Sequence, residues 1–232
     1  MIFLHGIPLY CFQFFALFFR VETIGVRKVA SLFYLTENVM LQFAEIFVIF
    51  LMMVILMMYL AKHYGEVEYV RSTFDQKEYL VRNLEDKQQA ADLLAMVTDG
   101  MSKLVKHMMA KYPENPDVQR LYENFNPDSV SEGSNETGYT SYSVNKGEKI
   151  IICIRQKDKN NTFVSKNTIM YVAIHELGHL MTEDIGHTTP FWDNFKFLLK
   201  EAMAPPLNLY VKVDYAQDPH EYCGIQITNS VA

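Results

Sequence analysis

Every residue from Ile46 to Leu60 is apolar or aromatic, and the nearest charges stand outside this run, at Glu45 and Lys62. Residues 41–61 amount to about 21 residues, or roughly 30 Å as a helix, which is the thickness of a bilayer core. No face of such a helix would be polar, so a surface or half-buried position in a small soluble domain does not suit it. The expected arrangement is three-part: an apolar N-terminal segment over residues 1–40, a transmembrane helix over 41–61, and a single compact domain over 62–232.

The earlier apolar run from Ile2 to Phe19 is interrupted by Gly6, Pro8 and Gln13. It reads as a second span, an interfacial hairpin partner, or a read-through upstream of Met40. No positive segment precedes it, which disfavours a cleaved signal peptide. Arg20, Arg27 and Lys28 before the main span are balanced by Lys62, Arg71 and Lys77 after it, so charge leaves orientation open. Asn135 and Asn160 begin glycosylation tripeptides that matter only on a lumenal side.

The chemistry is concentrated in His175-Glu176-Leu177-Gly178-His179, with His187 eight residues on. On a helix, side chains four apart share a face, so both imidazoles can bind one Zn²⁺. Glu176 is placed to serve a metal-bound water as general base. Asn167 is a predicted N-cap, and Ile169, Met170, Val172, Ala173, Leu177, Leu180 and Met181 continue at helical spacing. Gly186 offers a chain reversal, and Thr189-Pro190 predicts the start of a bracing helix that carries Phe191, Trp192, Phe195, Leu198 and Leu199. His187 is the expected third ligand, leaving one open coordination position as catalytic zinc requires. Glu183, Asp184 and Glu201 are the alternative third ligands, while His5, His63, His107 and His220 read as ordinary histidines. Tyr215 and Tyr222 are candidates for an oxyanion-stabilising hydroxyl.

The motif, its short spacer and Gly186-His187-Thr-Thr-Pro-Phe-Trp192 resemble the small zinc peptidases of the WLM and SprT-like group. Residues 140–227, including Asp214-Tyr215 and Glu221-Tyr-Cys-Gly224, are also similar to metallopeptidase-like proteins of large nucleocytoplasmic DNA viruses, notably those of algae. The resemblance implies His175, His179 and His187 as ligands and Glu176 as the base. The group is often soluble and associated with DNA. This chain differs, with its apolar N-terminal region, a formal charge of −6 and no basic cluster.

Residues 75–111 predict a scaffold helix or helix pair with Gly100 as the potential divide, ended by Pro113 and Pro116. Residues 126–138 read as an exposed loop. Strand-like runs at 139–144 and 149–155 predict a hairpin, with an edge able to bind an extended substrate, and residues 207–213 and 224–228 predict further short strands or extended cover. Cys11, Cys153 and Cys223 form no metal-type pair. Cys153 and Cys223 read as buried small residues in a reducing compartment.

The expected fold is α+β: a small zincin-like domain of scaffold helices, a short antiparallel sheet, a zinc-binding helix and a bracing helix, behind a transmembrane helix. The expected function is that of a membrane-anchored, zinc-dependent endopeptidase acting on a protein or peptide. The alternative is a virion membrane or minor capsid protein that keeps the peptidase fold and contacts capsid proteins, located at an inner membrane or shell. A membrane-associated crosslink-repair protease ranks last, because nucleic acid is not an expected partner.

Overall fold

The computed structural model describes residues 42–61, 65–133, 140–229 and 231. The expectations for residues 1–40, for His63 and for the tripeptide at Asn135 lie outside them. The chain falls into two compact units, residues 1–64 and 65–232, and each is described by itself.

In the first unit Gln42–Ala61 forms α1, a helix of 20 residues and so about 30 Å long. All of its side chains are exposed, among them Phe47, Phe50 and Met57. Among the described residues, one helix is therefore long and apolar enough to cross a membrane.

The second unit is α+β. It begins with a hairpin of β1 (Val67–Arg71) and β2 (Glu78–Arg82), paired antiparallel from Val67↔Arg82 to Arg71↔Glu78. Its connecting turn is tied to α2 (Lys87–Lys111): Asp92 accepts from Ser72 Oγ at 2.8 Å and from the Thr73 amide at 2.6 Å. The scaffold helix α2 is continuous over 25 residues. Gly100 does not divide it but allows α2 to approach α4 (Lys166–Met181) closely, since a Cβ there would come within 2.6 Å of Met170 Cε.

Next come α3 (Pro116–Asn124), capped by the Asn115 side chain, and a 3-10 turn over Pro127–Ser129. The segment read as an exposed loop also contains a strand, β3 (Val130–Glu132). It lies parallel to β5 (Lys149–Ile152), and β4 (Tyr142–Val144) lies antiparallel to β5 on the other side. The expected antiparallel hairpin is present, but the sheet is mixed and ordered β3-β5-β4, leaving β4 as an edge. A buried polar lock fixes β3: Glu132 receives the Arg82 amide at 2.7 Å and Arg155 Nε at 2.7 Å. Burial pushes the Glu132 carboxyl upward, and these donors only partly offset it.

Helix α4 begins at Ser165, whose hydroxyl accepts from the Thr168 amide. Asn167, expected to cap it, instead exchanges two hydrogen bonds of 2.8 Å with the Val211 backbone. The bracing helix α5 (Thr189–Met203) follows; Thr188 holds its N-cap position without a side-chain capping hydrogen bond, and Pro190 lies in its first turn. Residues 207–213 form no strand: Leu207 ends a turn and Asn208 has left-handed backbone (φ 46°). The chain then makes the hairpin of β6 (His220–Tyr222) and β7 (Ile225–Ile227), whose two turn residues, Cys223 and Gly224, both have positive φ, as tight hairpins require. The core includes Leu94, Met101 and Leu104 of α2, Leu121 of α3, Ile150 and Ile152 of β5, Leu177 of α4 and Phe195 of α5, all fully buried.

The cysteine reading is corrected. Cys153, just after β5, is disulfide-bonded to Cys223 in the β6–β7 turn, with Cα atoms 6.4 Å apart and a sequence separation of 70. Both residues are buried as expected, but folding brings them face to face. The inference of a reducing compartment, which rested on an odd number of cysteines without a metal-type pair, falls with it.

Candidate metal centre

Helix α4 places His175 and His179 one turn apart on one face, and the reversal after Thr182, with Gly186 at φ 87°, returns His187 to the same place. His175 Nε2 lies 3.2 Å from His179 Nε2 and 3.0 Å from His187 Nε2. Nitrogens bound tetrahedrally to one Zn²⁺ at about 2.0–2.1 Å sit roughly 3.3 Å apart, so these two separations suit a single ion, and all three ligand atoms lie within 4.8 Å of one another. Among the described residues, these three are the His, Cys, Asp and Glu side chains that converge on one point.

The electrostatics agree with a ligand set. Burial, followed by the neighbouring His179 and His187, pushes the His175 imidazole down to about 3. Burial, then His187 and Lys146, lowers His179 to about 4. Both rings are thus neutral, with a lone pair free to bind metal. Phe191 holds them in place: its ring centroid is 4.8 Å from those of His175 and His187, and it stacks on His179. Gly178 eases this packing, since a Cβ there would lie 3.1 Å from Phe191 Cε2, a few tenths of an ångström too close.

Glu176 is 3% exposed and lines the same cleft. Burial raises its carboxyl to about 7, against the downward pull of the Ser143 hydroxyl and amide on β4. Its Oε2 is buried without a hydrogen-bond partner. An orphaned carboxylate oxygen beside three converging imidazoles fits a site that receives an ion and a polar ligand.

The alternative third ligands point elsewhere. Glu201 is buried against Lys111, Tyr112 and His107. Glu183 has a side chain 85% exposed and reaches toward Arg120, while Asp184 is exposed. Outside the cluster, His107 pairs with Glu201 and His220 with Thr168 and Asp218. The Tyr222 hydroxyl donates to the Cys153 carbonyl at 2.8 Å and meets Ser141, and Tyr215 is fully buried against Tyr171.

The cleft has a volume of about 830 Å³. Ser143 of edge strand β4 borders it on one side, Ile225 and Ile227 of β7 on another, and Ile185 and Trp192 flank His187. Sequence reading missed Ser143 and Lys146, both of which bear on the site. Their signal was position alone, on the strand and turn that precede the metal helix.

An uncharacterized protein of Acanthamoeba polyphaga mimivirus is 34% identical over 167 residues, covering 70% of this chain and 83% of that protein. An uncharacterized protein of Invertebrate iridescent virus 6 is 33% identical over 76 residues, covering 32% of this chain and 41% of the relative. Another from Invertebrate iridescent virus 3 is 41% identical over 64 residues, covering 28% and 39%. No solved structure matches the chain. The WLM domain family, which is zinc-metallopeptidase-like, matches residues 73–214, a stretch that contains α2 to α5 and all three histidines. With more than half of its length matched, the chain belongs to the WLM family.

Proposed function

We propose that this protein is a membrane-anchored, zinc-dependent endopeptidase with a zincin-like catalytic domain. The observation that carries the reading is the convergence of three imidazole nitrogens beside the unpartnered Oε2 of Glu176. His175, His179 and His187 would hold a Zn²⁺ ion, which would supply Lewis acidity toward a water and a substrate carbonyl. Glu176 accepts the proton of the attacking water and returns it to the leaving amine. Ser143 holds the carboxylate from β4, and Phe191 keeps the imidazoles in register. The free edge of β4 suits an extended peptide, which would add as a further strand by main-chain hydrogen bonds. Helix α1 serves as the anchor, and the chain carries no basic cluster that would favour nucleic acid.

The test uses the full chain in detergent. The parent should hold one zinc per chain and cleave an unfolded protein substrate. Glu176→Gln should retain the metal and lose turnover by about 10²- to 10⁴-fold. A Glu176→Gln protein as active as the parent sinks the mechanism.

A second reading, a virion membrane or minor capsid protein that retains the peptidase fold, is favoured by α1 together with the viral relatives. It requires the protein to be abundant in purified particles and the parent to lack turnover while still binding zinc.

A further inference from the structure

The last turn of any α-helix leaves carbonyls without helical partners. In α4 each of these carbonyls has a donor. Gly178 O accepts from the Thr182 amide at 3.0 Å and hydroxyl at 2.8 Å. His179 O accepts from Lys146 Nζ at 3.3 Å, Leu180 O from Asn124 Nδ2 at 3.1 Å, and Met181 O from Arg120 Nη1 at 3.0 Å. Lys146 Nζ also reaches Thr182 O at 2.7 Å and Asp184 O at 2.9 Å. Two cations at a helix C-terminus are in addition favoured by its dipole.

Among these donors Lys146 has a particular position. One ammonium joins the backbone of His179 to that of Asp184, inside the loop that carries His187. Its reach depends on the β4–β5 turn, where Asn145 and Lys146 both adopt left-handed backbone (φ 46° and 55°). Gly147 follows at φ 112°, and a Cβ there would collide with Asn124 O at the end of α3. The turn is thereby pressed against α3, and the Lys146 side chain is delivered to the end of α4.

We propose that Lys146 is a positioning residue for the metal centre: by bridging the carbonyls of His179, Thr182 and Asp184, it sets the loop geometry that brings His187 to the other two imidazoles. The inference rests on the metal-centre reading above. The hydrogen bonds of Lys146 run to backbone carbonyls, so it positions the loop as outer partners of metal ligands commonly do.

The deciding variant is Lys146→Asn in the full chain in detergent. Asn tolerates left-handed backbone, so the turn is kept, while its side chain is too short to span the three carbonyls. Zinc affinity, measured by competition with a chelating dye, should fall about 10- to 100-fold, and the visible spectrum of the Co²⁺-substituted protein should change. Helical content should match the parent. Lys146→Gln, measured beside it, carries the same expectation, and Lys146→Arg, which keeps the cation and its donors, should recover both readouts. Affinity and cobalt spectrum unchanged in Lys146→Asn or Lys146→Gln overturn the inference, as does a loss that Lys146→Arg fails to recover. A parent that takes up no zinc overturns the metal-centre reading itself, and this inference with it.

Discussion

The Phe191 ring lies stacked on that of His179, with centroids 4.3 Å apart and planes 24° from parallel. Phe191 is also fully buried, so one residue of the bracing helix both fills the core and aligns the candidate ligands. Phe191→Ala should cost about 3–5 kcal/mol of stability and weaken zinc binding more than truncation to alanine at Leu198, which is just as buried but two turns further along α5. Chemical unfolding and chelator competition on the two variants check this.

Gly178→Ala sets two effects against each other. Alanine favours the helix by about 1 kcal/mol, but its methyl would press on Phe191 from 3.1 Å. We expect no net gain in stability and a lower zinc affinity, because the ring must shift off His179. A variant stabilised by the full propensity difference with unchanged affinity would refute the close-packing account.

Adding zinc should stabilise the folded domain. At a free concentration of about 100 times Kd the linkage contributes roughly 2.7 kcal/mol, or about 5–10 °C in melting temperature for a domain of this size. His175→Ala should abolish the shift, and a chelator should reverse it in the parent. Thermal scans with and without metal are sufficient.

Acid should weaken the packing of α5 on α2 through Glu201. Burial pushes this carboxyl up, but hydrogen bonds from Lys111, His107 and Tyr112 outweigh burial and hold it at about 2. An unfolded glutamate titrates near pH 4.3. The folded value lies below the unfolded one, so the stabilisation is fully present above about pH 4.3 and is lost as pH falls toward 2. Glu201→Gln should be less stable than the parent at neutral pH by roughly 1–3 kcal/mol, with the gap closing in that acid window. Urea midpoints at several pH values measure it, and a gap insensitive to acid would count against the assignment.

The Cys153–Cys223 bond closes a separation of 70 residues. In the chain-entropy account a loop of this size contributes about 4 kcal/mol. Denatured but unreduced protein should take up one alkyl group, at Cys11, and reduced protein three, matching the three cysteines of the sequence. Mass spectrometry reads the difference. Cys223→Ser should lower stability by about 2–4 kcal/mol.

Local signals were legible where chemistry and periodicity coincide. The helix carrying His175 and His179, the reversal at Gly186, the bracing helix from Thr189 and the hairpin around Asn145-Lys146-Gly147 could all be read from nearest neighbours. What escaped reading is non-local. Strand β3 takes its identity from pairing with β5 across an intervening strand, and Val130-Ser-Glu132 has too few apolar residues to announce it. The β1–β2 hairpin was hidden because Glu68, Arg71, Glu78 and Arg82 dilute the alternation. The cap of α4 went to Ser165 because Asn167 was drawn to the Val211 backbone. Disulfide partners and the reach of Lys146 likewise depend on segments that meet only after folding.

The donors gathered at the end of α4 also imply an order of assembly. His175 and His179 become neighbours as soon as that helix winds, whereas the loop bearing His187 is secured only after α3 and the β4–β5 turn have docked. Tight capture of an ion is therefore expected late in refolding, after the rise of the far-ultraviolet helical signal. Stopped-flow zinc uptake that keeps pace with helix formation would contradict that sequence of events.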